Sequence, residues 1–290
     1  MPDPDLCNAA PMVRREGSND DRPLVERWPA PHVCVAAVGP DGILSSTGDL
    51  GHRFALASVT KPLVATAVLV AVEEGAIGLD DPAGPEGSTI RHLLAHASGL
   101  AAEDETVLAP PGRRRIYSNR GFEVLAEHLA TSTGITVADY LTEGVLAPLG
   151  MADTTLDGSP ASGATSTVRD LAQWVVEMLD PRRILHRTTI DEATTAQFPD
   201  LAGVLPGFGR QDPNPWGLGL ELKGTKSPHW TGSRNSPATF GHFGQSGTFV
   251  WVDPVARLGL VGLGDRDFGD WAAALWPLLS DAVLLEHRGA

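Results

Sequence analysis

The sequence predicts an α+β fold in which an antiparallel sheet is flanked by helices and a mainly helical lobe is inserted between its strands. Three observations predict it. Strand-like runs sit towards both ends of the chain, at 32–38, 43–47, 216–222, 247–252 and 257–263. Helical stretches fill the middle. The stretch Leu63-Val64-Ala65-Thr66-Ala67-Val68-Leu69-Val70-Ala71-Val72 is apolar on every face, so that helix belongs inside the molecule. A length of 290 residues suits one large domain or two lobes sharing one site.

Taken in order, residues 1–25 are rich in Pro, Asp, Asn and Arg without periodicity and read as a mobile extension. Gly39-Pro40-Asp41-Gly42 joins the first two strands as a hairpin turn. The apolar helix starts near Ser58, accepts Pro62 in its first turn and ends at Gly75. Helices follow at 88–96, 119–132, 136–146 and 167–180, the last opened by a Thr167/Asp170 capping box. Residues 199–215 carry several Pro and Gly and read as a long loop. Asp253-Pro254 turns between the last two strands, and a final helix at 267–287 contains Pro277 as a kink. The expected division is therefore a lobe of residues 26–75 and 205–290, a helical lobe of 76–204, and a catalytic cleft between them.

Composition narrows the function. With 22 Lys plus Arg against 36 Asp plus Glu, the net charge is −14, which argues against a nucleic-acid partner. No apolar run reaches the roughly 20 residues that span a bilayer, and residues 1–23 contain no apolar signal-peptide core. No membrane association is expected, and a cytoplasmic location is. Cys34 lies in an apolar run and reads as a small buried hydrophobe.

Lys61, Lys223 and Lys226 are the only lysines. Lys61 stands at the head of the apolar helix, three residues after Ser58, so their side chains share a face. Apolar surroundings and the positive end of the helix dipole both lower a lysine pKa. A neutral amine can then take the serine proton, which a permanently charged arginine cannot do. The bland alternative is a capping serine and a lysine reaching to the surface. Tyr117-Ser118-Asn119 leads into a helix; a phenol beside a cation can shuttle a proton, and an amide can both donate to a carbonyl and accept from the lysine. Otherwise Tyr117 packs and Asn119 caps. Gly241-His242-Phe243-Gly244-Gln245-Ser246-Gly247 precedes a strong strand, where glycines admit a substrate and His242 supplies a donor or a proton. The alternative is a glycine-rich turn.

Together, Ser58-Val59-Thr60-Lys61, Tyr117-Ser118-Asn119 and His242-Phe243-Gly244, in this order, resemble the penicillin-recognising serine hydrolases. These comprise class C β-lactamases, DD-peptidases and their esterase relatives. Leu93-Leu94-Ala95-His96-Ala97-Ser98-Gly99-Leu100, Pro148-Leu149-Gly150-Met151, Trp216-Gly217-Leu218-Gly219 and Val252-Asp253-Pro254 add to the likeness, which covers roughly 32–265. The resemblance implies a β-lactamase/transpeptidase-like fold and an acyl-enzyme on Ser58. It makes Lys61 the general base, Tyr117 the proton shuttle and Asn119 the group orienting Lys61 and the substrate carbonyl. The backbone N–H groups of Ser58 and Gln245 become the oxyanion hole, with His242 also catalytic and Phe243, Gly244 and Trp216 near the substrate. No cofactor is required, and the partner is a small ester, amide or lactam.

The chain departs from the lactamase pattern where His242 begins the third motif in place of lysine and Phe243 replaces a hydroxyl. An esterase or amide hydrolase is therefore expected over a β-lactamase, a D-amino-acid peptidase or a non-catalytic binder. His92 and His96 stand one helical turn apart but lack further ligands, so no metal site is expected. Arg113-Arg114-Arg115 reads first as a solvated loop and second as a contact for an acidic substrate.

Overall fold

The alternation of the first strand explains the architecture. A computed structural model describes residues 22–287. β1 (Val33–Gly39) and β2 (Gly42–Thr47) form the expected hairpin, with Gly39 opposite Gly42. After β3 (Phe54–Ala55), a 3-10 turn at Ala57–Val59 runs directly into α1 (Thr60–Glu73). The middle of the chain holds α2 (Ile90–Leu94), α3 (Asn119–Thr133), α4 (Val137–Leu141), a π-helical turn at Thr142–Leu146 and α5 (Ala147–Leu149). Next come β4 (Thr155–Leu156), β5 (Ala164–Ser166), α6 (Val168–Leu179) and α7 (Arg187–Ala193). The remainder is β6 (Gly203–Leu205), β7 (Gly209–Gln211), β8 (Glu221–Leu222), β9 (Phe240–Gly244), β10 (Thr248–Asp253), β11 (Leu258–Gly264) and α8 (Asp270–Glu286).

Six strands form one antiparallel sheet in the order β2-β1-β11-β10-β9-β8. Successive side chains of a strand point to opposite faces, and both faces are buried. Cys34, Ala36, Val38, Val250, Val252, Val261 and Leu263 join the core around α1 and α6. Val35, Ala37, Phe249, Trp251 and Leu260 join the other, built on Trp276, Leu279 and Val283 of α8. The expected α+β fold, an antiparallel sheet between helices, is the one observed. α1 is buried from Thr60 to Ala71, as its all-round apolar surface requires. Its buried hydroxyl is satisfied: Thr66 donates to the Pro62 carbonyl at 2.8 Å and accepts from Trp174 Nε1 at 3.0 Å, which ties α6 to α1. α6 lies within 76–204 yet packs on β1 and β11, so not every helix of that stretch stands away from the sheet.

Several expectations are corrected. Residues 1–21 of the expected extension lie outside the described residues, but Leu24 and Val25 are buried in the α8-side core. The loop expected at 199–215 contains the β6–β7 hairpin. The run 216–222 pairs as a strand only at Glu221–Leu222, because Gly219 turns the chain at φ +76. The segment 241–247, read as lying before the strand at 247–252, is itself a strand over Phe240–Gly244, β9. Thr167 caps α6 by accepting from the Asp170 N–H at 3.1 Å, but the Asp170 carboxylate turns to the Asp153 N–H and the Thr154 hydroxyl, so the capping box is half formed. α7 was not expected at all.

Candidate active site

The turn before α1 is held from three sides. Leu56 N–H donates to the Ala164 carbonyl at 2.9 Å, and Ala164 N–H donates to Thr60 Oγ1 at 3.0 Å. From the sheet, the Thr248 hydroxyl donates to the Leu56 carbonyl at 2.8 Å and the Ser246 hydroxyl to the Ala55 carbonyl at 2.7 Å. These anchors hold Ala57 at φ +46, a conformation that a residue with a Cβ adopts at a cost of about 1–3 kcal/mol. Ser58 follows and lines a pocket of about 190 Å³ with Tyr117, Asn119, Trp216, Glu221, His242 and others.

Lys61 is fully buried, and its amine has three acceptors: Ser58 Oγ at 3.3 Å, Asn119 Oδ1 at 2.6 Å and the Ala161 carbonyl at 3.0 Å. An ammonium has three protons to place there; the neutral amine keeps two donors and offers its lone pair to the third partner. Burial pushes Lys61 from 10.5 down to about 7, opposed by the Glu103 carboxylate. The Nζ also sits 4.6 Å from the centre of the Tyr117 ring and 5.5 Å from that of Phe122. The Tyr117 hydroxyl donates to Ser58 Oγ at 2.7 Å. Burial raises the Tyr117 pKa, and the bond to Ser58 only partly offsets this, so the phenol is neutral at physiological pH. Ser118, between Tyr117 and Asn119, caps α3 through its hydroxyl, which accepts from Gly121 N–H at 3.0 Å. That cap fixes the start of α3 and aims Asn119 at Lys61; Asn119 Nδ2 in turn donates to Glu103 at 2.7 Å.

β9 brings His242 to the same pocket, with its imidazole held down to about 3 by burial and by the Lys61 amine. His242 Nδ1 lies 2.7 Å from the Phe243 carbonyl, which only accepts, so Nδ1 carries the proton. Nε2 is then a buried lone pair without a partner among the described residues. His242, expected to supply a donor or a proton, thus has its one N–H on the Phe243 carbonyl, and burial favours the neutral ring. Gly244, expected near the substrate, does not line this pocket. A Cβ there would stand 2.3 Å from the Leu56 carbonyl oxygen and 3.2 Å from Ala57 Cβ, so the missing side chain admits the turn that carries Ser58. The Gly244 carbonyl accepts from Gly247 N–H at 3.1 Å inside the turn. In a trans peptide the N–H points opposite to the carbonyl, so the Gln245 N–H faces out of that turn, and Gln245 lines the pocket with Ser58.

Trp216 and Phe243 line the pocket, while Trp230 is core and Phe208 packs edge-on against Phe243 at 6.1 Å. The structure also adds groups that spacing along the chain did not indicate. Glu103 and the Ala161 carbonyl reach the site from separate loops. His96, on which Tyr117 and Trp216 pack at 4.6 Å each, holds Ser118 N–H through Nδ1. Glu221 sits in the pocket wall bonded to Lys226, His229 and Trp230. His92 and His96 do not form a metal site with any third ligand among the described residues.

The sequence model described as Beta-lactamase matches residues 45–283, well over half of the chain. Penicillin-binding protein 4* of Bacillus subtilis is 31% identical over 35% of this chain and 30% of its own length. The D-alanyl-D-alanine-carboxypeptidase/endopeptidase AmpH of Escherichia coli is 24% identical over 52% of this chain and 57% of its own length. The chain thus spans less than two thirds of these curated relatives. Among solved structures, a β-lactamase from Mycobacterium bovis is 58% identical with a TM-score of 0.90, covering 91% of this chain and 98% of that one. EstCE1, a hydrolase with promiscuous acyltransferase activity, shares the fold at 18% identity and a TM-score of 0.74, covering 90% and 95%. No helix among the described residues is long and apolar enough to cross a membrane.

Proposed function

The chain belongs to the β-lactamase family, whose members are generally serine hydrolases, and from that premise we propose that it hydrolyses small carboxylic esters or amides through an acyl-enzyme on Ser58. The observation that carries this is the convergence on one hydroxyl of a buried amine at 3.3 Å and a neutral phenol at 2.7 Å. Lys61, brought to about 7, is neutral in a large fraction of molecules at physiological pH and takes the Ser58 proton. A neutral tyrosine whose pKa is raised cannot serve as the resting base, so Lys61 fills that role and Tyr117 passes protons.

Ser58 Oγ attacks the carbonyl carbon, and the developing oxyanion accepts from the N–H groups of Ser58 and Gln245. Tyr117 gives its proton to the leaving oxygen or nitrogen and recovers one from the Lys61 ammonium. Water, deprotonated along the same path, then releases the acid and restores Ser58. Asn119 keeps Lys61 facing Ser58. A neutral His242 and the apolar Phe243 offer no fixed positive charge for the carboxylate of a β-lactam, which supports the ester or amide reading. The β-lactam reading draws support from the 58% identical solved structure described as a β-lactamase.

Intact mass after exposure to a p-nitrophenyl ester, and separately to a β-lactam, tests this with the native protein and Ser58→Ala. The expected result is an adduct that Ser58→Ala lacks, with the ester acylating faster. Faster acylation by the lactam reverses the preference, and a folded protein that reacts with neither favours a non-catalytic binder. Gly244→Ala is expected to lower kcat/KM about 10²–10³-fold, the usual effect of losing an oxyanion donor. The new methyl pushes the Gln245 end of β9 away from the nucleophile turn. Ester kinetics beside thermal unfolding check it; a rate within twofold of the native enzyme contradicts the placement.

A further inference from the structure

A second cleft, of about 560 Å³, opens beside the nucleophile pocket and shares Tyr117 and Pro206 with it. Its lining differs in kind. Arg113, Arg114 and Arg210 supply positive charge, and Leu108, Ile116 and Val204 supply apolar wall. Leu108 and Val204 are 55% and 61% exposed, a large apolar exposure for segments that flank a site. In a chain of net charge −14, this is a local reversal of sign. Among the described residues Arg113 and Arg114 make no hydrogen bond or ion pair with their side chains, whereas Arg210 pairs with Asp212 at 3.0 Å. Glu103, adjacent to the lining residue Ala102, turns its carboxylate to Asn119 instead.

The arginines are displayed on a fixed backbone. Arg115, expected in a solvated loop, is buried, and its guanidinium donates to the carbonyls of Asn214 at 3.0 Å, Gln197 at 2.8 Å and Phe198 at 3.0 Å, and to that of Ala95. Backbone bonds add to this: Gly112 N–H to Ala97 at 2.8 Å, Arg115 N–H to Ala202 at 3.0 Å and Ile116 N–H to His96 at 2.9 Å. The segment between them therefore needs little ordering when a ligand arrives, which removes one of the usual costs of binding.

We propose that this cleft recognises a free carboxylate on the substrate, carried at the end of an apolar arm whose other end is the reacting carbonyl at Ser58. The two clefts meet at Tyr117 and Pro206, and Arg114 lies three residues from Tyr117, with Cα atoms at most about 10 Å apart, so a linear dicarboxylic acid of about eight carbons, esterified or amidated at one end, is a probe of suitable size. Two guanidinium groups with no other partner suit a carboxylate by geometry as well as charge, and the apolar wall suits the methylene chain. The inference rests on the hydrolase reading for the reacting end only.

The test separates the two. Calorimetric titration of Ser58→Ala, which does not need to turn over, compares monomethyl suberate with dimethyl suberate. The expected result is about tenfold tighter binding of the monoester (about 1.4 kcal/mol). That preference should fall below about threefold in Arg113→Gln/Arg114→Gln, and shrink in about 1 M NaCl, where the screening length drops to about 3 Å. Equal affinities, no binding of the monoester, or a preference that survives the double substitution overturns the subsite. Acylation of the native protein by p-nitrophenyl acetate reports independently on the hydrolase reading, so either can fail alone. Thermal unfolding confirms that the double variant is folded, which the exposure of both side chains leads one to expect.

Discussion

Lys61→Met is expected to lower kcat/KM for a p-nitrophenyl ester about 10²–10⁴-fold, the range associated with loss of a positioned general base. Methionine matches the length of the lysine stem and suits a fully buried site beside Phe122, so thermal unfolding should change little. The pH profile is the sharper readout. The active form carries neutral Lys61, so kcat/KM of the native protein should rise with pH through a midpoint near the lysine's value of about 7 and then level. That limb should vanish in Lys61→Met. Glu103→Gln should move the midpoint lower, because the carboxylate favours the charged amine. A native profile that is flat from pH 5 to 9, or Lys61→Met at near-native rate, removes Lys61 from its role. The same shift has a consequence for folding. Between about 7 and the ordinary 10.5, the unfolded chain holds a proton that the folded chain has released. In that window this group makes stability rise with pH.

Glu221→Gln is expected to destabilise the fold by about 3–5 kcal/mol, the cost of breaking a buried ion pair from one side. At about 2–4 °C per kcal/mol for a chain of this size, Tm should fall by roughly 10 °C. Glu221 is buried and accepts from Lys226, from His229 Nε2 at 2.8 Å and from Trp230 Nε1. The amide keeps one acceptor oxygen but removes the negative charge beside the buried Lys226 ammonium, whose other acceptors are neutral: Asn214 Oδ1 at 3.1 Å and the Pro215 carbonyl at 3.3 Å. Burial alone would raise the Glu221 pKa, but the adjacent Lys226 and His229 outweigh it and hold the carboxyl well below the usual range. A depressed folded value means that this stability is fully present above the unfolded carboxylate pKa of about 4.5 and is lost as pH falls below it. The gap between native and variant should therefore be widest near neutrality and close in acid. Glu221→Leu/Lys226→Met should recover part of the loss, since an apolar pair can replace a buried ionic one. A Tm change under about 2 °C for Glu221→Gln would mean that the cluster contributes nothing net.

The sequence made some of this visible and hid the rest for physical reasons. Ser58 and Lys61 are legible because one helical turn separates them at the head of a helix with no polar face. Tyr117 and Asn119 are legible because they stand together at the start of a helix and in the motif order of the family, although the cap of that helix is Ser118 and not Asn119. Glu103, Ala161 and Glu221 meet the site only through tertiary contacts, and no local spacing announces them. β9 was hidden because its glycines mimic a turn; they answer to close packing, with a Cβ at Gly241 placed 2.0 Å from the Val250 carbonyl oxygen. The β6–β7 hairpin was hidden in a stretch whose Pro and Gly punctuate as a loop does. Leu24 and Val25 were placed in a polar extension on the composition of their neighbours, although their own apolar side chains bury against the α8 face.

The contact between Gly244 and the Leu56–Ala57 backbone separates two kinds of change that the gene can accumulate. The spacing between the Ser58 turn and the Gln245 end of β9 rests on close backbone approach at Gly244, with the Thr248 and Ser246 hydroxyls tying the two together. The walls that meet the rest of the substrate, by contrast, come from side chains on separate loops, such as Arg113, Val204 and Trp216. Mutational drift in those loops can thus retune which acyl compound is accepted while the reacting atoms stay in register, whereas position 244 tolerates glycine alone.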